Sequence, residues 1–144
     1  MREPFDLHVL ATNKPFYEGP CLSLVLPTLQ GQYGIQARHF NYVTAIVPGE
    51  MKFTYIDEDG KEKTEIAAVA DGIVKVEDNS VLVLVDTAER PEEIDEIRAR
   101  IAVDKAREDS LQKQSVREYY AAQARLARAV NRLKVRKHMT ESKN

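Results

Sequence analysis

The strongest constraint on the fold is an abrupt change of composition at Pro91. Before it, short apolar runs rich in Val, Ile and Thr alternate with Gly and Pro, whereas residues 92–144 contain neither Gly nor Pro. Gly and Pro mark turns between strands, and a long segment rich in Ala, Arg, Glu and Gln favours helix. The break therefore predicts a β domain over residues 1–88, followed by a helical segment over residues 89–144.

Within the first segment, apolar runs recur about every 8–12 residues with turn residues between them. One strand is predicted at Phe5–Ala11 and another at 22–26, ended by Pro27 because proline cannot donate a ladder hydrogen bond. Gly31 and Gly34 predict a turn. Further strands are predicted at 43–47, 51–56, 63–69, 73–76 and 81–85. This spacing is typical of an antiparallel β-sandwich or barrel.

The second segment predicts two helices that fold into a hairpin. Pro91 suits a first helical position, and the acidic residues after it favour a helix N-terminus. Ile94, Ile97 and Ile101 would form the apolar stripe of the first helix. A capping box over residues 115–118 would begin the second helix. The stripe of that helix would consist of Tyr119, Leu126, Val130 and Leu133.

Charge is distributed unevenly along the chain. Residues 1–90 carry 8 Lys and Arg against 14 Asp and Glu; residues 91–114 carry 5 against 7, and residues 115–144 carry 8 against 2. Nucleic acid is not expected to bind the β domain, because phosphate binding needs clustered positive charge. A basic helix beside an acidic one, attached to a small β domain, indicates a movable element that acts on a partner.

The residues that usually carry chemistry form no catalytic pattern. Cys21 is the single cysteine, so no internal disulfide is expected and a reducing compartment is favoured. His8, His39 and His138 lie far apart in sequence, and no Cys/His pair has metal-ligand spacing. There is no P-loop motif, no long apolar run and no signal-peptide pattern. We expect a soluble intracellular chain with no catalytic residues and no metal.

The second helix carries a row of arginines spaced 3, 4 and 4 residues apart, on one face. The row consists of Arg125, Arg128, Arg132 and Arg136. One interpretation is a solvated basic face that pairs with acidic residues of the first helix. The other is a surface for an anion or a partner, because the guanidinium group binds phosphates and carboxylates in a planar fork. Asp95 and Arg98, one turn apart on the first helix, could complement it. Both interpretations remain open.

Several stretches in a fixed order carry a family resemblance. They are residues 25–31, Gly34-Ile35 with His39, residues 44–49, residues 86–95 and residues 128–133. Taken together, they resemble the epsilon subunit of bacterial F-type ATP synthases over essentially the whole chain. The order of a β-sandwich followed by a helical hairpin is also that of the family.

The resemblance implies a non-catalytic subunit of the central stalk. In the family, the sandwich binds the gamma subunit and the c-ring, and the hairpin extends toward the alpha/beta catalytic head and restrains ATP hydrolysis. The complex translocates protons or sodium ions, so the chain would lie at the cytoplasmic face of the membrane and associate with it only through the complex. A free-standing ATP-sensing binding module is the alternative. A small β-sandwich enzyme is disfavoured by the missing catalytic pattern.

The resemblance also implies a regulatory ATP site in the folded hairpin, with no cofactor required. The family motif Ile-Asp-x-x-Arg-Ala is matched by Ile94, Asp95, Arg98 and Ala99. By resemblance, Ile94 would pack against the base and Asp95 would accept a hydrogen bond from its exocyclic amine. The remaining matched positions are Glu89, Arg128 and Arg132. The whole arginine row would form the inhibitory basic face.

One loop departs from the family pattern. Where members usually have a Leu-Pro-Gly-His-type sequence after Gly-Ile, this chain has Gln36-Ala-Arg-His39, followed by Phe40. The loop would approach the c-ring. Gln32 and His39 are therefore the candidate contact residues.

Overall fold

The computed structural model describes residues 2–12, 14–112 and 116–142. In this part of the chain, eight strands precede a short 3-10 turn and two helices. The chain divides into two compact units, Met1–Ala88 and Glu89–Asn144. The strands are β1 (Phe5–Ala11), β2 (Pro15–Cys21), β3 (Ser23–Thr28), β4 (Gly31–Ile35), β5 (Tyr42–Ile46), β6 (Gly49–Ile56), β7 (Glu62–Glu77) and β8 (Ser80–Glu89). The predicted fold class, a β-sandwich followed by two helices, is confirmed.

The strands follow the order β2-β1-β8-β7-β5-β3-β4, and β6 pairs with β3 and β7. Alternate residues face the core, since side chains of a strand point to opposite faces. Leu7 and Val9 on β1 and Val83 on β8 are fully buried. The pairing is not antiparallel throughout: β1 runs parallel to β8, with Leu7 beside Val81.

β7 is one continuous strand of 16 residues, where the sequence predicted two strands. Its first part pairs with β6 and its last part with β5. Between the two parts, Asp71 has a positive φ of 41°. A Cβ at Gly72 would lie against the carbonyl oxygen of Leu84 and 2.8 Å from Cα of Val85. The absence of a side chain at Gly72 therefore lets β8 approach β7 closely at the point where β7 passes from β6 to β5.

Three further predictions about the sandwich were wrong. Strand β2 was missed because Pro15, Gly19 and Pro20 lower strand propensity, but β2 is an edge strand, where proline is tolerated. The predicted turn at Gly31–Gly34 is instead strand β4. The turn comes just before it, and Gly31, with φ of 104°, ends that turn. Pro27 also lies inside β3 and does not end it.

The helical unit begins later than predicted. Pro91–Glu93 forms only a 3-10 turn, and Ile94 is extended with φ of −86° and ψ of 117°. The first helix, α1, spans Glu96–Gln112, and the second, α2, spans Val116–Ser142. Ser115 of the predicted capping box lies outside the described residues. The two helices pack against each other.

The buried faces of the two helices consist mostly of alanine. The predicted stripes were wrong at Ile97 and Ile101, which are 74% and 60% exposed, and at Tyr119, which is 46% exposed. The other stripe residues of α2, Leu126, Val130 and Leu133, are half-buried. The residues that are buried instead are Ala99, Val103 and Ala106 on α1, and Ala122, Ala129 and Val135 on α2. Small side chains let two helix backbones approach closely, so this hairpin is built on alanines rather than on its large apolar residues.

Candidate functional site

Asp95 begins α1 as its N-cap. Its Oδ1 accepts hydrogen bonds from the backbone N–H groups of Ile97 at 3.0 Å and Arg98 at 3.2 Å, which satisfies two of the unpaired donors at a helix start. Its Oδ2 lies 3.7 Å from Nε of Arg98. The structure therefore brings the two motif residues together. It also gives Asp95 a structural role that requires no ligand.

Glu89 and Arg132 form the strongest ion pair of the helical unit among those described. Nε and Nη2 of Arg132 donate to Oε1 and Oε2 of Glu89 at 2.6 and 2.9 Å. The side chain of Arg132 is 33% exposed and that of Glu89 is 24% exposed, so this pair is less accessible to water than the surface ion pairs of this chain. Two parallel charge-assisted bonds fix the guanidinium plane. The structure thus joins the predicted upstream acid to a predicted second-helix arginine, 43 residues away.

The other arginines of the row differ in their surroundings. Nη2 of Arg125 lies 4.0 Å from Oδ2 of Asp109 on α1, as expected for a basic face that pairs with the acidic helix. Arg128 is half-buried and also has a partner. Nη1 of Arg136 lies 3.9 Å from the sulfur of Met139. The row is therefore partly neutralised and partly buried, rather than a uniform solvated face.

The remaining motif residues fall into two groups by burial. Ile94 is 2% exposed and Ala99 is fully buried. Arg98 is 86% exposed, and only Asp95 is near its guanidinium among the described ion pairs. An apolar base could contact Ile94 only after a local rearrangement, whereas Arg98 can turn toward a phosphate from its present position.

His39 is held by hydrogen bonds at both ring nitrogens. Nδ1 lies 2.7 Å from the carbonyl oxygen of Phe40 and therefore carries a proton that it donates. In the neutral ring, Nε2 then accepts from the hydroxyl of Tyr33 at 2.7 Å. The ring also stacks on Phe40, with centroids 4.3 Å apart. The loop after β4 therefore presents an ordered aromatic surface, on which Phe40 is 65% exposed.

Gln32 does not join His39 on this surface. Its neighbour Tyr33 points toward His39, and successive side chains of a strand point to opposite faces. Gln32 is exposed near the start of β4. Gln32 therefore points to the face of β4 opposite the one on which Tyr33 contacts His39 of the following loop.

Sequence reasoning missed an apolar patch on the outer face of the sandwich. Val43 on β5, Ile73 on β7 and Leu84 on β8 are 58%, 44% and 38% exposed. Ala45 pairs with Ile73, and Leu10 of β1 pairs with Leu84, so the patch is continuous across four strands. Outward apolar residues at alternate strand positions were the available signal. Such a patch is typical of a protein–protein contact surface.

Residues suited to catalysis or metal binding do not converge in the part of the chain that the structure describes. It contains no group of three His, Cys, Asp or Glu residues close enough to hold a metal ion. Cys21 is fully buried, and burial raises the pKa of its thiol to about 11, which suppresses the nucleophilic thiolate. None of the described helices is long and apolar enough to span a membrane.

Fold and surface together define a class of protein: a β-sandwich with a contact patch, joined to a helical hairpin with a cluster of arginines. Comparison with known families agrees with this class. Residues 4–91 match the beta-sandwich domain of the ATP synthase delta/epsilon chain, and residues 92–137 match its long alpha-helix domain. The chain belongs to the ATP synthase delta/epsilon chain family. Membership confirms the resemblance and the prediction that the chain is a non-catalytic subunit.

Individual relatives extend over nearly the whole chain. An ATP synthase epsilon chain of Ruminococcus albus is 42% identical, over 91% of this chain and 95% of the relative. The epsilon chain of Caldanaerobacter subterraneus is 38% identical over 94% and 95%. A chain in the mitochondrial ATP synthase of Euglena gracilis, with OSCP, F1 and the c-ring, shares the fold with a TM-score of 0.73 at 22% identity, over 89% of this chain and 78% of that chain.

Proposed function

We propose that this chain is the epsilon-type subunit of the central stalk of an F-type ATP synthase. It couples the catalytic head to the c-ring and restrains ATP hydrolysis through its hairpin. The observation that supports this most directly is the pair of family domains, at residues 4–91 and 92–137, because they fall closely on the two compact units. The chain then works at the cytoplasmic face of a bacterial membrane, held there by the complex that moves protons or sodium ions.

In this proposal, the sandwich attaches the chain to the rotor, and gamma covers the outer patch of Val43, Ile73 and Leu84. The aromatic loop with His39, together with Gln32, faces the c-ring. The patch supports this assignment because its apolar side chains are exposed next to strands that otherwise place polar residues outward. Burying them against gamma would remove apolar surface from water, which is the main driving force for stable association.

A matched pair of substitutions tests the attachment. Ile73→Asp places a charge in the patch, at a side chain that is 44% exposed. Ile56→Asp makes the same change outside the patch, at a side chain with a similar exposure of 46%. Tagged variants are used to capture gamma from detergent-solubilised membranes. We expect Ile73→Asp to weaken capture by about tenfold or more, because a carboxylate would be desolvated, while Ile56→Asp binds like the wild type.

Equal capture by both variants would place the gamma contact elsewhere. Recovery of the folded wild-type chain without any ATP synthase subunit would contradict the stalk function itself, and would favour the free-standing nucleotide-binding module.

We further propose that the closed hairpin binds regulatory ATP. Arg98 and Arg128 would meet the phosphates, and Arg132 would be shared between a phosphate and Glu89. The bidentate pair supports a site here, since it already orients one guanidinium group. The same pair means that ATP must compete with the Glu89 carboxylate for Arg132.

Calorimetry with ATP tests this site. Arg128→Ala should weaken binding by about 1–3 kcal/mol, the usual range for hydrogen bonds to charged groups. Arg100→Ala removes an exposed arginine of α1 outside the motif and should leave the affinity unchanged. Absence of wild-type binding at millimolar ATP would refute the site. Equal losses of affinity in both variants would mean that ATP is attracted by the overall positive charge and not bound at this site.

A further inference from the structure

The turn between β7 and β8 consists of two residues, Asp78 and Asn79. Both have a positive φ, of 50° and 63°, which is the conformation of a tight hairpin turn. Glycine, asparagine and aspartate are all favoured at such positions, because they tolerate a positive φ. The turn therefore explains the backbone of Asn79 but does not require its side chain.

The side chain of Asn79 bonds to two other segments of the sandwich. Its Oδ1 accepts a hydrogen bond at 2.7 Å from the backbone N–H of Arg38, in the loop between β4 and β5. Its Nδ2 donates to the carbonyl oxygen of Pro4 at 3.2 Å. The backbone carbonyl of Asn79 accepts from the N–H of Asp6 on β1 at 3.2 Å. Asn79 is therefore anchored to the sheet through its backbone and reaches the loop through its side chain.

A second asparagine connects the loop and the turn from the opposite direction. Asn41, the last residue of the loop, accepts through its Oδ1 from the backbone N–H of Asp78 at 3.1 Å. The next residue, Tyr42, already pairs with β7, so Asn41 holds a part of the loop that the sheet also holds. Arg38 lies in the middle of the loop, away from both strands. The bond from Asn79 is therefore the one that connects the middle of the loop to the turn.

The backbone of Arg38 needs such a bond. Its φ of 63° lies in the left-handed region, which residues other than glycine, asparagine and aspartate seldom adopt. Nε of Arg38 lies 2.8 Å from Oε2 of Glu3, but the two side chains are 79% and 52% exposed, so this ion pair contributes little. Asn79 is half-buried, and its bond to the N–H of Arg38 acts on the backbone itself. We therefore expect this bond to hold the left-handed conformation.

The position of the aromatic surface depends on this conformation. His39 directly follows Arg38, and a change of φ at Arg38 would redirect the chain that follows. The ring of His39 would then leave the carbonyl of Phe40 and the hydroxyl of Tyr33, to which it now bonds. We infer that Asn79 is a positioning residue: by holding Arg38 in the left-handed conformation, it places the ring of His39 for contact with the c-ring. The inference rests on the proposed function, which assigns this loop to the c-ring.

The side-chain nitrogen NMR resonances of His39 test the positioning in the free full-length chain. The neutral ring carries its proton on Nδ1 here, whereas a neutral imidazole in water carries it mostly on Nε2. Asn79→Gly removes both side-chain bonds and keeps the positive φ, and the resulting Asp-Gly is a favoured sequence for this turn. At about pH 8, this variant should lose the resonances of the Nδ1–H form.

Two variants serve as matched controls for the resonances. Asn79→Asp keeps an oxygen that accepts from the N–H of Arg38, so the Nδ1–H form of His39 should persist. Asp78→Gly makes the glycine substitution at the other position of the turn and keeps the backbone donor to Asn41. It should also leave the resonances of His39 unchanged.

Binding to the ATP synthase tests the functional consequence. The probe is the host ATP synthase, purified and stripped of this chain, and it is titrated with the full-length variants. Asn79→Gly should bind about fivefold more weakly than the wild type, as expected for the loss of one hydrogen bond that orders the loop. Asn79→Asp and Asp78→Gly should bind within about twofold of the wild type. Phe40→Ala removes the exposed ring of the loop and measures whether the loop contacts the complex.

The outcomes separate the inference from the proposed function. Unchanged resonances of His39 in folded Asn79→Gly would overturn the inference, and so would an equal change in Asp78→Gly. Weaker binding of Phe40→Ala with wild-type binding of Asn79→Gly would also overturn it, while leaving the contact of the loop intact. Wild-type binding of Phe40→Ala would instead refute the proposed contact between this loop and the c-ring, and the resonances would then decide whether Asn79 positions the loop.

Discussion

Arg38 adopts a left-handed backbone conformation, with φ of 63°, in the loop that carries His39. Its N–H donates to Oδ1 of Asn79 at 2.7 Å, and its guanidinium pairs with Glu3 at 2.8 Å. Asn79 also donates to the carbonyl of Pro4. The loop is thereby tied to the N-terminal segment and to the turn before β8. These ties hold an arginine in a backbone conformation that favours glycine.

The cost of this conformation can be measured with two substitutions. Arg38→Gly and Arg38→Ala both remove the exposed ion pair, which contributes little, but only alanine keeps a side chain at positive φ. The glycine variant should be more stable than the alanine variant by about 1 kcal/mol, measured by urea unfolding. Equal stabilities would mean that the loop relaxes to another conformation.

Cys21 predicts a stability change at alkaline pH. Burial raises the pKa of its thiol from an ordinary 9.0 to about 11 in the folded chain. Between these values the unfolded chain ionises and the folded chain does not. The thiol's contribution is therefore complete below pH 9 and is lost as the pH rises toward 11.

Urea unfolding of the wild type and of Cys21→Ala isolates this contribution, since the other titrating groups are common to both. The free energy of unfolding of the wild type, relative to that of Cys21→Ala, should fall by about 2 kcal/mol between pH 7 and about pH 10.5. A difference that does not change with pH would show that the folded thiol is not protected.

The elements of this chain differ in how well they can be predicted from the sequence. Strand β1 was predicted with its correct bounds, because Leu7 and Val9 alternate with polar residues and both face the core. Strand β2 was missed, because its prolines are tolerated only at a sheet edge, and edge position depends on the order of strands. That order is fixed by long-range pairing, which a local pattern does not encode.

Prediction of the helical hairpin from local patterns was limited in the same way, and more severely. Large apolar residues at helical spacing predicted its packed face, but Ile97 and Ile101 face outward and Ala99 and Ala106 are buried. Both patterns have helical periodicity, so spacing alone does not decide between them. Of the candidate site, the sequence identified Glu89 and Arg132 through the family resemblance. Their mutual ion pair spans 43 residues and could not be deduced from spacing.

Two substitutions on α1 test the assignment of the packed face. Val103 is 7% exposed and Ile101 is 60% exposed. Val103→Ala should destabilise the helices by about 1–2 kcal/mol, because it removes buried apolar surface. Ile101→Ala removes a larger side chain, but one that is already exposed. Ile101→Ala should be neutral within about 0.5 kcal/mol, since alanine also raises helix propensity. Unfolding is followed by circular dichroism at the helical minimum. A larger loss of stability for Ile101→Ala than for Val103→Ala would instead support the predicted apolar stripe of Ile94, Ile97 and Ile101.

At the scale of the whole molecule, the proposed function combines a compact attachment unit with a hairpin whose state ATP would bias. A ligand shifts such an equilibrium only by its differential affinity for the two states. If ATP binds the closed hairpin, high ATP favours the closed, permissive form. When ATP falls, α2 is released, and its arginine row can pair with acidic surface on the catalytic head. In this proposal, the pair of Glu89 and Arg132 would oppose opening of the hairpin without ligand.

The most direct test of this account is the ATP hydrolysis rate of the assembled complex at low ATP, with either the full chain or residues 1–88. Both forms should assemble with gamma and the c-ring, because the sandwich is a compact unit by itself. The account predicts faster hydrolysis with residues 1–88, since the inhibitory arginine row has been removed. Equal hydrolysis rates in two fully assembled complexes at low ATP would contradict the inhibitory role of the hairpin.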